Sequence, residues 1–231
     1  MAALVVLAAG AGASDVFSFA ALTHVFTSVM TGNLILLGLG AGSGDPLVAA
    51  RPVVPLAAFA AGVFVTARLL RPVRISDDDP WPSPVTTVLA LGLVSQLGVL
   101  ATWIPTRAEP TAGVSHLMVV LLAWAMGVQT AAVNVIRVPG AATTYLTGTL
   151  SQLVAQVATT GAPEKLRREC LEVLAMLGGA AIAGMLIVLQ PLVLGILPAA
   201  ATVCAILIMR AGQPSSPTRP GKSHDEEDGD S

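Results

Sequence analysis

Charged side chains are scarce in this sequence: Asp, Glu, Lys and Arg together make up 11% of its 231 residues, against roughly a quarter in a soluble globular domain. Too few remain to cover a water-facing surface, which excludes an ordinary soluble protein. Aromatic residues are also few, at 4%. Cysteine occurs twice, at Cys170 and Cys204, far apart and in or beside apolar runs. That spacing predicts neither a disulfide framework nor a metal cluster, and both read as small core residues. The net charge of -2 offers no basic surface for nucleic acid. No phosphate-binding loop, nucleophile elbow or His-Glu-x-x-His zinc pattern occurs. The chain is therefore expected to be no enzyme, to carry no cofactor or metal, and not to couple to ATP.

What is present is apolar. Hydrophobic residues reach 54% and the mean hydropathy is +0.78, values that mark a polytopic membrane protein with the lipid bilayer as its first partner. The expected fold is all-α, a helical membrane bundle. Eight apolar stretches run roughly over residues 2–22, 25–42, 53–71, 84–104, 114–136, 141–160, 169–189 and 191–209, and about 20 apolar residues are needed to cross the bilayer as a helix. Two are doubtful as spans. The second has only about ten strongly apolar residues after Asn33, and the sixth carries Thr143, Thr144, Thr147, Thr149, Ser151, Gln152, Gln156, Thr159 and Thr160.

Both doubtful stretches hold the same motif. Met30-Thr31-Gly32-Asn33-Leu34 is answered by Leu146-Thr147-Gly148-Thr149-Leu150. Gly12, Gly32 and Gly62 are spaced by 20 and 30 residues, and Gly127, Gly148 and Gly179 by 21 and 31. The pattern predicts two related halves, about 1–104 and 114–210, within one membrane domain over 1–210. Residues 211–231 lack apolar side chains and read as a disordered cytoplasmic tail.

Cytoplasmic loops collect Lys and Arg. If the sixth stretch is re-entrant, ten basic residues fall inside (Arg68, Arg71, Arg74, Arg137, Lys165, Arg167, Arg168, Arg210, Arg219 and Lys222), and only Arg51 and Arg107 fall outside. The charges fit six spans if the second stretch is re-entrant too, or seven if it crosses. With six, each half has three spans and the second half is inverted relative to the first. Inverted repeats of this kind place broken helices near the bilayer midplane around a binding site. The competing reading is that these glycines only let helices pack closely.

Few side chains here can carry chemistry. Asp15 lies within the first apolar stretch, where a charge is costly unless paired or hydrated. It is a candidate cation or proton site, or else a bonding partner for a neighbouring helix. Aligning Gly12 with Gly127 sets Thr130 opposite Asp15, with Gln129 and Asn134 close by, so the two halves are expected to line one polar pathway. Thr31, Gly32, Asn33, Thr147, Gly148 and Thr149 complete the candidate set, with interhelical hydrogen bonding as the plainer role. Histidine changes charge near neutral pH, which makes His24 a candidate proton relay beside the first motif. Gly42-Ser43-Gly44-Asp45 superficially matches the Gly-x-Gly-Asp motif of intramembrane aspartyl proteases, but the Tyr-Asp partner of that motif is missing.

Gly12-Ala13-Ser14-Asp15, the run Val25 to Leu34, Gly127-Val128-Gln129-Thr130 and Thr144 to Leu150 resemble the YoaK-like family of bacterial multi-pass inner-membrane proteins. The likeness covers nearly the whole chain except the tail. It implies a bacterial inner-membrane location and, because the family is a domain of unknown function, no particular substrate. Thr130 stands where the family more often has Asn. The expected function is a secondary transporter or channel for a small solute or ion; the alternative is a non-transporting membrane scaffold or sensor. Homo-oligomerisation is left open.

Overall fold

The computed structural model describes residues 1–73, 82–136 and 163–211. The sixth apolar stretch, the second Thr-Gly motif with Thr147, Gly148 and Thr149, and the tail after Ala211 lie outside the described residues.

Helix α1, Ala2–Val16, runs on without a break into a π-helical turn, Phe17–Leu22. Non-helical residues follow, and then α2, Met30–Ser43, of 14 residues. A helix of that length rises about 21 Å, short of the roughly 30 Å hydrocarbon core. The chain stops α2 at Gly44, whose φ of +70° is the left-handed conformation glycine adopts without strain. It restarts at once, because the Asp45 carboxylate accepts the N–H groups of Leu47 and Val48 and caps α3, Pro46–Ala50. The Ser43-Gly44-Asp45 run is thus a stop-and-start signal between two helices, with Asp45 exposed. Next come α4 (Val53–Leu70), α5 (Ser83–Trp103), α6 (Ala112–Val135), α7 (Pro163–Leu189), the short α8 (Pro191–Leu194) and α9 (Ile196–Ala211).

Among the described residues six helical segments are long and apolar enough to cross a membrane: Ala2–Leu22, Pro46–Leu70, Ser83–Trp103, Ala112–Val135, Arg167–Leu189 and Pro191–Ala211. The second apolar stretch, counted as a doubtful span, is the short helix α2.

Two core clusters give the spans their direction. One joins Leu4 and Leu7 at the start of α1, Leu70 at the end of α4, Val85 and Leu89 at the start of α5, Ile136 after α6, and Met209 near the end of α9. The other joins Phe17, the end of α5 (Val99, Trp103), the start of α6 (Met118, Leu122), Ala183 in the later part of α7, and Leu194. Successive spans therefore alternate in direction. Helix α2 does not add a crossing, since α1 ends and α4 begins at the same end of the bundle.

Helices α1 and α6 form the centre: 67% and 72% of their apolar windows are buried, against 17–44% in the other four spans. Helix α1 packs on α7 and α9, and α6 packs on α4 and α5. Glycine sets both tightest crossings. A Cβ on Gly12 would strike the carbonyl of Met176, and one on Gly179 would strike that of Ala9; likewise Gly127 meets the carbonyl of Phe59 and Gly62 that of Trp124. At each crossing, each glycine faces the carbonyl three residues before its partner glycine. Close approach of backbones through small residues is how helices pack tightly in lipid, where no hydrophobic force drives them together.

Large apolar side chains cover the outer faces, among them Ile35, Leu39, Phe64, Leu177 and Val188. Cys204 is exposed there too and Cys170 is half-buried, so neither is the core residue the sequence pointed to. The surroundings of a lipid-facing helix are as apolar as its core, and hydropathy cannot separate the two.

Candidate functional site

The chain reverses between the π-helical turn and α2, and this reversal is built around Asp15. Oδ1 of Asp15 accepts the backbone N–H groups of Thr27 and Ser28, each at 2.7 Å, and the Thr27 hydroxyl at 3.2 Å. The Ser28 hydroxyl donates to Oδ2, and Ser14 and Thr27 share a hydrogen bond of 2.9 Å. Asp15, Ser14, Thr27 and Ser28 are all buried. Non-helical backbone in a membrane must find its hydrogen-bond partners within the protein. A carboxylate that accepts several hydrogen bonds, two of them from backbone N–H groups, meets that need and offsets its own cost of burial. Residues 27 and 28 thus return to the depth of Asp15 before α2 leads the chain outward again.

Asn33 closes the reversal from the other side. Its Oδ1 accepts Phe26 N–H at 2.9 Å, and its Nδ2 donates to Phe26 C=O at 2.7 Å, so the amide pairs with both backbone groups of one residue as a strand neighbour would. Gly32 leaves room for the Phe26 ring, which a Cβ would approach to 2.8 Å. Thr31 is exposed. Within the first motif, then, Asn33 and Gly32 shape the chain and Thr31 faces outward. His24 is exposed at the end of the π-helical turn with a φ of 58°, its Nδ1 donating to Phe19 C=O at 2.8 Å.

The second half's residues lie elsewhere. Gln129 is buried and its Nε2 donates to Leu7 C=O of α1 at 3.3 Å. Thr130 is buried and donates to Met126 C=O of its own helix. Asn134 is exposed. Gln129 joins not Asp15 but Gln96 of α5 and Thr202 of α9 around a narrow interior gap with no room for a water molecule. Gln96 Oε1 is buried there without a hydrogen-bond partner among the described residues, an expensive state for an amide oxygen in a low-dielectric interior. The polar side chains thus form two groups, a fully bonded clamp at Asp15 and a partly bonded core at Gln96 and Gln129.

Glu169 and Glu172 are fully buried near the start of α7, a turn apart, and both have interaction partners. Sequence reasoning missed them. Their signal was available, two carboxylates three residues apart at the head of the apolar stretch 169–189, and it was passed over.

Comparison with known proteins agrees with this architecture. Over 152 residues the chain is 32% identical to the UPF0700 transmembrane protein YoaK of Bacillus subtilis (strain 168), a match spanning 64% of this chain and 62% of that protein. No solved structure matches. A family model described as a protein of unknown function, DUF1275, matches residues 3–209. A bundle of membrane-length helices matched over almost its whole described length makes this chain a member of the DUF1275 family of multi-pass membrane proteins.

Proposed function

We propose that the protein is a secondary transporter or channel for a small solute or ion, built as an inverted repeat whose halves close on the polar core around Gln96, Gln129 and Thr202. The observation that carries this reading is the exchange of partners between the halves. The first helix of each half, α1 or α6, crosses the second helix of the other half, α7 or α4, at reciprocal glycine contacts. Gly12 aligns with Gly127 and Gly62 with Gly179, so the two crossings use corresponding residues. The three spans of the first half alternate in direction opposite to their counterparts in the second. Such a pair of swapped halves can rock about its centre, exposing the core to one side and then the other.

Arg68, Arg71, Arg167, Arg168 and Arg210 belong to one end of the bundle, and Arg51 and Arg107 to the other. That asymmetry supports an orientation with the first end and the C-terminus in the cytoplasm of a bacterial inner membrane. One observation favours the alternative of a non-transporting scaffold or sensor: the carboxylate of Asp15 is occupied by the chain's own backbone and hydroxyls, as in a purely structural clamp.

The test replaces Gln96 or Gln129 singly by Cys in a background lacking Cys170 and Cys204, and treats intact and inverted vesicles with a membrane-impermeant thiol reagent. Labelling from both sides is the result expected of a core that opens alternately. A folded protein that labels from neither side refutes the reading and leaves the scaffold.

A further inference from the structure

A second polar feature lies at the opposite end of the bundle from the cluster of arginines. A cavity of about 280 Å³ opens where the end of α1's π-helical turn, the residues just before α4 and the first turn of α6 meet, and it is lined by Thr23, His24, Arg51, Ser115 and His116. Two properties bear on what it can bind. The Arg51 side chain makes no hydrogen bond or ion pair among the described residues, so its five guanidinium donors are uncommitted. Both imidazoles are anchored in the same way, His24 Nδ1 donating to Phe19 C=O at 2.8 Å and His116 Nδ1 to Ala112 C=O at 2.7 Å. A carbonyl only accepts, so each ring carries its proton on Nδ1 and leaves Nε2 for a ligand.

The neighbouring backbone adds to the same polarity. Helix α6 begins at this cavity with no side-chain cap on its first N–H groups and no acidic residue in its first turn, so nothing within the helix offsets its positive dipole end, and the nearest acid in sequence is Glu109, two residues before the N-cap Thr111. The acid nearest to Arg51 in sequence, Asp45, is committed to capping α3. His24 sits at positive φ, a strained conformation that non-glycine residues retain mainly where the surroundings fix it, often at binding sites.

We propose that this cavity binds a phosphate-class oxyanion. Arg51 supplies a planar, permanently charged fork matched to two phosphate oxygens. Ser115 and Thr23 supply hydroxyls, and Nε2 of His24 and His116 accepts from a phosphate hydroxyl or, when protonated, donates to its oxygens. A membrane lipid's headgroup phosphate and a free phosphate in solution present the same group. The site stands apart from the transport reading, because its occupancy needs no movement of solute across the membrane.

The full-length protein, purified in detergent and in nanodiscs, separates the two sources. In detergent, binding of radiolabelled inorganic phosphate is compared for the native chain, Arg51→Gln, Arg51→Lys and His116→Gln. In nanodiscs of phosphatidylglycerol against phosphatidylcholine, retained lipid is counted by native mass spectrometry. Arg51→Gln is expected to weaken binding about tenfold or more, with Arg51→Lys intermediate because lysine keeps the charge without the fork. A loss confined to inorganic phosphate identifies a soluble ligand; a loss confined to phosphatidylglycerol identifies a lipid. Arg51 and His116 are exposed, so these variants leave the packed core intact. If native and Arg51→Gln proteins are indistinguishable in both arms, the proposal is overturned.

Discussion

Adjacent glycines in α7 offer a sharp test of the packing. Gly178 has open space where a Cβ would stand, whereas a Cβ on Gly179 would lie 2.7 Å from the carbonyl carbon of Ala9 and 2.8 Å from its Cα, with the oxygen closer still. Carbon atoms rest at about 3.5–4.0 Å, so Gly179→Ala must open the α1–α7 crossing by nearly 1 Å. No rotamer change can absorb the overlap, because the obstacle is backbone. Overpacking of this kind costs about 2–3 kcal/mol, which lowers the folded-to-unfolded ratio roughly 30- to 150-fold. Gly178→Ala should change stability by less than about 0.5 kcal/mol. Reversible unfolding in mixed micelles with increasing dodecyl sulfate, followed by circular dichroism, measures both. Gly12→Ala strikes the same crossing from the other side, so the double variant Gly12→Ala with Gly179→Ala should cost less than the sum, one separation relieving both overlaps. Gly12→Ala with Gly127→Ala, at different crossings, should be additive. Equal effects at Gly178 and Gly179 would refute the crossing geometry, and additivity within one crossing would refute the shared gap.

Five other substitutions, at four residues, probe the clamp and the far end of the bundle. Asp15→Ala strands two backbone N–H groups and the Ser28 hydroxyl, while Thr27 keeps its bond to Ser14; at about 1–3 kcal/mol for each stranded backbone donor it should prevent stable folding. Asp15→Asn keeps one acceptor and should remain folded at reduced stability, as the same unfolding titration would record. Asn33→Ala removes both bonds to Phe26 and should cost about 2–4 kcal/mol, whereas Thr31→Ala, on an exposed site, should be nearly silent; equal costs would show that the motif is not a backbone brace. Trp103→Phe removes the indole bond to Pro191 C=O while keeping an aromatic ring against Phe17, whose centroid lies 4.7 Å away. It should cost about 0.5–1.5 kcal/mol, and a larger loss in thermal stability would mean that the indole's packing on Gly195, where a Cβ would lie 2.5 Å from the ring, carries the site.

What the sequence made legible was mostly what is periodic or counted. The glycine spacings identified the very residues, Gly12, Gly62, Gly127 and Gly179, that touch opposing backbone, since close approach in lipid demands the smallest residue whatever the partner. The weak second stretch also read correctly as poor membrane material, and became a 14-residue helix. The site was legible only in part. Asp15 stood out because a carboxylate in an apolar run is unusual, yet its partners were hidden, since pairing with Thr27 and Ser28 depends on a chain reversal that no periodicity announces. The expected junction of Asp15 with the Gln129 side did not form, because Gln129 points to Leu7 and the Gln96 gap. Glu169 and Glu172, at the head of the stretch 169–189, were passed over because their burial depends on tertiary packing that no local pattern shows.

The reversal at Asp15 also bears on how the chain enters the membrane. During synthesis α1 emerges before the turn, carrying a carboxylate whose partners at Thr27 and Ser28 follow twelve and thirteen residues later. Until they arrive, α1 is a poor passenger for a lipid environment, and once they arrive the carboxylate is matched without any help from the second half. The polar unit that is self-sufficient in lipid is therefore not α1 alone but α1 together with the turn that follows it, one contiguous segment of the chain.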